Sequence, residues 1–363
     1  MTKLHDLFDR HGQSPWLDNL RREWITSGEL AHWVERGVRG VTSNPTIFQK
    51  AIAGADTYDD QFGQLIGDGM SVDDAYWTMV VTDIVDALRI LRPVHDASDG
   101  VDGYVSLEVA PDLARDRHRT TTSARALHAR IDQPNLFVKV PATAEGVDAV
   151  RTLVGEGHSI NVTLIFGLDR YAEVMEAYIA GLESYDGDLS TVSGVASFFV
   201  SRVDTEVDQR LDAIGTDAAL ALRGTTAVAQ AQAAYGMFLS TFTGPRWQAL
   251  AERGARVQRP LWASTSTKNP AYSDTLYVDP LIGPDSVNTM PEATLEAFDD
   301  HGTLARTVDV DLDAARRTLD DVSTAGVDLD DVARVLEDQG VASFAKSFDE
   351  LMSSLAVKAE DLR

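Results

Sequence analysis

Cysteine is absent from the 363 residues. That excludes disulfides, thiolate nucleophiles and Cys-ligated zinc or iron–sulfur centres together. Positive charge is scarce: 32 Lys and Arg stand against 57 Asp and Glu, a formal net charge of −25. A nucleic-acid-binding surface needs a basic footprint and anionic membranes repel such a chain, so neither is an expected partner. No apolar run approaches the roughly 18 residues of a membrane span. The opening MTKLHDLFDRHGQSPW has no apolar signal core. These features predict a soluble, cytoplasmic protein. The Gly-x-Gly-x-x-Gly, P-loop and Gly-x-Ser-x-Gly patterns are missing too. The eight histidines are scattered without the His-x-x-x-His spacing that puts two ligands on one helix face, so no metal site is expected.

What is present is ordinary globular material, 44% hydrophobic and 25% charged. The length suits two domains or one α/β barrel with insertions. No repeat, low-complexity tract or linker divides the chain. Short apolar runs alternate with amphipathic helical patterns instead. The strand-like runs are Pro15 to Asp18, Gly40 to Asn44, Tyr104 to Val109, Leu136 to Val140, Ile160 to Phe166, Val195 to Val200, Leu261 to Ser264 and Leu276 to Val278. Among the helices, Thr26 with Glu29 reads as a capping box and Gly37 as a stop. Ser71 with Asp74 opens another helix that reaches Pro93. Tyr171, Val174, Met175, Tyr178, Ile179 and Leu182 form an apolar stripe at helical spacing. Eight strands, most followed by a helix, predict an α/β fold: a closed (β/α)8 TIM barrel with additional helices at the termini. An open doubly wound sheet is the alternative. The expected organisation is a single domain over 1–363, with the barrel at roughly 15–300 and a helical extension at roughly 303–363 packed outside it.

Strands buried on both faces should be nearly continuous in Val, Ile and Leu. Several here are not, and the polar exceptions keep one parity. Asn161 and Thr163 alternate with Ile160, Val162 and Leu164; Ser106 and Glu108 alternate with Val105, Leu107 and Val109; Lys139 sits between Val138 and Val140. The apolar parity must face the helices, so the polar one faces the barrel axis. Asp18, Asn44, Glu108, Lys139, Asn161, Thr163 and Ser197 are thus predicted to converge, towards the strand ends where barrel enzymes keep their chemistry. Of six lysines (Lys3, Lys50, Lys139, Lys268, Lys346 and Lys358), only Lys139 lies inside an apolar strand. Its same-face neighbours Phe137 and Pro141 cannot solvate an ammonium. Desolvation favours the neutral amine, the form that attacks a carbonyl. An isolated lysine more commonly snorkels to water or pairs with an acid, here Glu108. Beside so many inward polar groups, the nucleophile reading is the stronger.

Two runs then resemble a known family. Gly40-Val-Thr-Ser-Asn44-Pro45-Thr-Ile-Phe48 is similar to the first transaldolase signature. Leu136-Phe-Val-Lys139-Val-Pro-Ala-Thr143-Ala-Glu-Gly146-Val resembles the second, around the Schiff-base lysine. The resemblance runs from about Pro15 to Pro291 and is strongest to the longer bacterial members. It implies a class I aldolase-type transferase that needs no cofactor. Such an enzyme moves a dihydroxyacetone unit from sedoheptulose 7-phosphate to glyceraldehyde 3-phosphate, giving erythrose 4-phosphate and fructose 6-phosphate in the pentose phosphate pathway. By the same resemblance, Lys139 forms the imine and Asp18 moves the C4 hydroxyl proton. Glu108 exchanges protons through a water held by Thr163. Asn44, Asn161 and Ser197 bind the three-carbon unit.

Sugar-phosphate substrates need cationic anchors, all the more in so acidic a protein. Arg202, after Ser197-Phe-Phe-Val-Ser, matches the family's first phosphate-binding arginine, and its fork suits a phosphate. The second anchor departs from the family pattern. An arginine is expected two residues after an Ala-Ser pair, but Ala263-Ser264-Thr-Ser266-Thr-Lys268 has serine there and lysine two further on. Lys268 is assigned, with Ser266 as the alternative. Phe199 shares the parity of Ser197; a tyrosine there would position water, so phenylalanine favours transfer. A class I aldolase releasing free dihydroxyacetone, a metal-dependent aldolase and a catalytically silent sugar-phosphate-binding barrel are the rival readings. A homo-oligomer is compatible with the sequence, as is a monomer.

Overall fold

The computed structural model of the chain describes residues 2–53 and 55–362. Eight strands close a parallel barrel in chain order. They are β1 (Gln13–Leu17), β2 (Val41–Thr42), β3 (Val105–Glu108), β4 (Leu136–Pro141), β5 (Ile160–Ile165), β6 (Gly194–Phe199), β7 (Gln258–Ala263) and β8 (Ser286–Met290). Every strand residue is buried, because helices cover the outer face and side chains fill the inner one. The (β/α)8 barrel expected from the alternation is what forms.

The register sets the levels inside the barrel. Glu108 of β3 is level with Lys139 of β4, which is level with Asn161 of β5. Lower down, Trp16 and Phe137 approach with ring centroids 6.2 Å apart, and Phe137 stacks on Tyr104 at 4.0 Å. Gly40 is required here: a Cβ on it would stand 2.4 Å from the Trp16 indole. The floor of the barrel is charged. Asp102 accepts from Ser14 Oγ at 2.7 Å, Trp16 Nε1 at 3.0 Å, Arg39 Nε at 2.7 Å and Arg259 Nη2 at 2.8 Å.

Four local expectations are corrected. The eighth strand is not Leu276–Val278, which lies in a turn, but the more polar Ser286–Met290. Several of its polar groups are bonded by neighbours: Gln13 Nε2 donates to Ser286 Oγ at 2.9 Å, and Asn288 Nδ2 to the Tyr277 carbonyl at 3.2 Å. Thr26 does not start a helix. It lies within helix Arg22–Ser27 and donates back to the Arg22 carbonyl at 3.1 Å, while the next helix, Glu29–Glu35, begins after Gly28. The helix that Ser71 does cap runs past Pro93 to Ala97. The parity of β5 also ends at Thr163, since Leu164 is in the left-handed region (φ 61°) at a register shift.

The helices beyond the barrel differ from one another in role. Helix Leu312–Thr324 packs on the outer helix Thr226–Thr241. The last helix, Leu329–Asp361, crosses onto helix Pro45–Ala53 instead, tied by Thr46 Oγ1 to Ser347 Oγ at 2.8 Å and by Gln49 Nε2 to Glu350 Oε2 at 3.2 Å. That path takes it to the end of the barrel where the strands finish.

Candidate active site

A cavity of about 560 Å3 opens at this end, and polar residues from six strands or their ends reach its wall. Asp18 follows β1, and Thr42 lies on β2. Lys139, Thr163, Ser197 and Thr289 come from β4, β5, β6 and β8. Asn44, Phe199, Arg202, Ser266 and Lys268 line it as well. Of the residues singled out from sequence, Glu108 and Asn161 are not on this wall. Glu108 stands behind Lys139, with its Oε2 3.1 Å from the Lys139 Nζ. Asn161 is enclosed, donating from Nδ2 to Ser106 Oγ at 3.1 Å and accepting from Ser197 Oγ at 2.7 Å.

Lys139 does not snorkel. Its side chain is 6% exposed, and Nζ also donates to the Ser43 carbonyl at 2.9 Å. It does pair with Glu108, the bland alternative for a lone lysine, yet the pair is buried at a cavity wall rather than spent on the surface. Burial pushes the Glu108 carboxyl above its usual range, with the Lys139 charge opposing the shift. Asp18 is raised by burial also. The Thr42 hydrogen bond at 2.7 Å to Oδ1 and the charges of Lys139, Lys268 and Arg202 partly offset that effect. Thr42 Oγ1 is itself 2.6 Å from Thr289 Oγ1. Thr163 Oγ1 is buried without a protein hydrogen-bond partner.

Asn44 is partly committed. Its Oδ1 accepts from the Ile47 amide at 2.9 Å, capping helix Pro45–Ala53, which leaves Nδ2 for the cavity. Thr143 caps the helix after β4 in the same way, accepting from the Gly146 amide at 3.0 Å. A Cβ on Gly146 would meet the Pro141 carbonyl oxygen at 1.8 Å, so the second signature run depends on that glycine. Arg202 sits in the first turn of helix Ser201–Ile214. Its guanidinium carbon is 5.3 Å from the Phe199 ring centroid and 6.0 Å from that of Phe344. Lys268 Nζ donates to Ser266 Oγ, so the two candidates for the second anchor are adjacent. Burial lowers the Lys268 ammonium from its usual range, and Arg202 adds to the effect.

The sequence matches the family described as transaldolase/fructose-6-phosphate aldolase over residues 15–355. A transaldolase of Thermobifida fusca is 53% identical over 360 residues, covering 98% of each chain. The chain belongs to the transaldolase/fructose-6-phosphate aldolase family. A transaldolase of Parafrankia is 52% identical over 349 residues, 95% of each chain. A protein named transaldolase 2 of Streptomyces avermitilis is 47% identical over 367 residues, covering all of this chain and 99% of its own.

Some cavity residues of this transaldolase-family chain escaped the sequence reading. Thr42 shares the parity of Asn44 in the first signature and was legible there. Thr289 was hidden by the misplaced eighth strand. Ser343 and Phe344 of the last helix also line the cavity, although nothing local in a mixed-character helix marks them. Among the described residues, no helix is long and apolar enough to cross a membrane.

Proposed function

We infer that the chain is a transaldolase, a transferase that moves a dihydroxyacetone unit between sugar phosphates in the pentose phosphate pathway, and that it does so through an imine on Lys139. The observation that carries this reading is a lone buried amine on the wall of a barrel-end cavity, 3.1 Å from a carboxylate whose proton affinity burial raises.

In this mechanism the Lys139 ammonium passes a proton to Glu108, and the free amine adds to the C2 carbonyl of the ketose phosphate. The carbinolamine loses water to give the iminium, with Glu108 returning the proton. Thr163 Oγ1 holds the relaying water in this reading, which its burial without a protein partner supports. Asp18 then takes the proton of the C4 hydroxyl. The C3–C4 bond breaks, its electrons flow to the iminium, and an enamine forms as the first aldehyde leaves. The enamine carbon attacks the acceptor aldehyde, Asp18 returns its proton to the new hydroxyl, and hydrolysis frees Lys139. Thr42 fixes Asp18 by its hydrogen bond. Asn44 and Ser197 bind the hydroxyls of the retained unit, with Asn161 orienting Ser197. Arg202, together with Lys268 and Ser266 of the same cavity, binds the phosphate. Phe199 keeps a phenol out of the site, which favours transfer over release of dihydroxyacetone. The substrates are intracellular sugar phosphates, so we place the enzyme in the cytoplasm.

Borohydride reduction in the presence of fructose 6-phosphate tests the imine. The expected product carries a three-carbon adduct on Lys139, read by peptide mass. Active, folded protein without that adduct would overturn the proposal. Donor cleavage as fast without an acceptor as with one would overturn the transfer assignment alone.

A further inference from the structure

Cations without counter-ions are rare in this acidic chain. Among the described residues, only eight lysines and arginines have no carboxylate oxygen within 4.0 Å. Four of them, Arg21, Lys50, Arg202 and Lys268, line the one cavity at the barrel mouth, and the others are Lys3, Arg130, Arg151 and Arg253. The remaining cations spend their charge on carboxylates, as Arg22 does on the buried Asp83 at 2.8 Å. Gathering unpaired like charges costs free energy through mutual repulsion, a cost that an anionic ligand offsets.

Neither the family motif nor the local pattern assigns Arg21 or Lys50; the Arg21 guanidinium lies 4.6 Å from the Trp24 ring centroid, which leaves Lys50. It lies one turn beyond Thr46 and Ile47 on helix Pro45–Ala53, and all three line the cavity. Spacing of three and four residues puts them on one face of that helix. Lys50 thus approaches the cavity from β2's side, while Arg202 and Lys268 follow β6 and β7. Its charge is felt across the space, since it contributes to lowering the Lys268 ammonium. Ser266 stands where the family pattern supplies an arginine, and its hydroxyl is bonded to the Lys268 ammonium.

We propose that Lys50 is a third cationic ligand of the substrate phosphate, closing the anion subsite from the β2 side beside Arg202 and Lys268. The inference rests on the reading of Arg202 as a phosphate anchor. An anion held from three elements is fixed in position as well as attracted, and that lets one subsite serve the phosphate of donor and acceptor in turn.

The test uses inorganic phosphate as a competitive inhibitor of the full-length enzyme, together with the steady-state constants for fructose 6-phosphate. Lys50→Gln should raise both the phosphate inhibition constant and KM by about tenfold, in keeping with one lost charge-assisted hydrogen bond. Its kcat should stay within about twofold, and Lys50→Arg should restore most of the binding. Arg202→Ala is run beside them. If Arg202→Ala weakens phosphate inhibition and Lys50→Gln does not, the role of Lys50 is wrong. If neither changes it, the anchor reading fails and the Lys50 inference falls with it. A fall in kcat at unchanged KM in Lys50→Gln would likewise overturn the proposal.

Discussion

Lys139 and Glu108 face each other across 3.1 Å inside the barrel, with side chains only 6% and 3% exposed. The proposed mechanism uses this enclosed pair to exchange a proton, since burial raises the carboxyl's affinity for the proton that the amine would give up. Lys139→Ala should therefore abolish turnover. Glu108→Gln should retain the site's shape but lower kcat by about 10²–10⁴, the usual worth of general acid–base catalysis. Rapid-quench borohydride trapping should show slower imine formation in Glu108→Gln. A normal trapping rate with slow turnover would remove Glu108 from the imine-forming steps.

Asp18 is expected to trade stability for chemistry. Burial holds its carboxyl above the usual 3.8, so the folded state binds this proton more tightly than the unfolded chain does. Stability then falls as pH rises from 3.8 towards the raised value, so burying this carboxyl costs stability at neutral pH. Asp18→Asn keeps an acceptor for Thr42 and removes that cost. It should be inactive yet melt higher at pH 7, with the gain vanishing below about pH 3.8. An inactive variant that melts lower at neutral pH would contradict the account.

Much of this was legible because polar residues on doubly buried strands are expensive unless used or satisfied. Lys139, Glu108, Thr163 and Ser197 betrayed themselves by parity alone. The same rule misled at β8: it picked out the apolar Leu276–Val278, whereas the strand is the more polar Ser286–Met290. Hydrogen bonds from Gln13 and to Tyr277 make the polar strand tolerable, and a partner as distant in sequence as Gln13 leaves no local trace. Asn161 shows the limit of parity in another way. It does face inward, but Ser106 and Ser197 use its amide below the cavity wall. Phe344 could not be found from sequence at all, because only the path of the last helix brings it to Arg202.

That contact carries a prediction of its own. Phe199 and Phe344 flank the Arg202 guanidinium, which has no carboxylate to hold it. Phe344→Leu keeps apolar volume but removes the ring face. It should raise KM for fructose 6-phosphate about threefold to tenfold, the scale of a cation–π contact, while kcat changes little. Phe344→Tyr should behave like the parent enzyme. If Leu and Phe prove equivalent in KM, the ring does not position Arg202.

Stability should depend most on the opposite end of the barrel. Asp102 is fully buried, and burial pushes its carboxyl up, but Arg259 and Arg39 together outweigh that and hold it below the usual 3.8. A carboxyl held low contributes stability above its unfolded value, and that contribution is lost as pH falls through the lower folded value. Asp102→Asn removes the negative member and leaves Arg259, only 9% exposed, without its counter-charge. Removing one partner of such a buried pair costs about 3–5 kcal/mol. The melting temperature should therefore drop sharply at pH 7, and the gap to the parent should narrow only in strong acid. Because Lys139 lies at the other end of the barrel, kcat at a temperature where both proteins stay folded should be nearly unchanged. An Asp102→Asn protein that melts with the parent at neutral pH would show that the charged floor does not hold the barrel together.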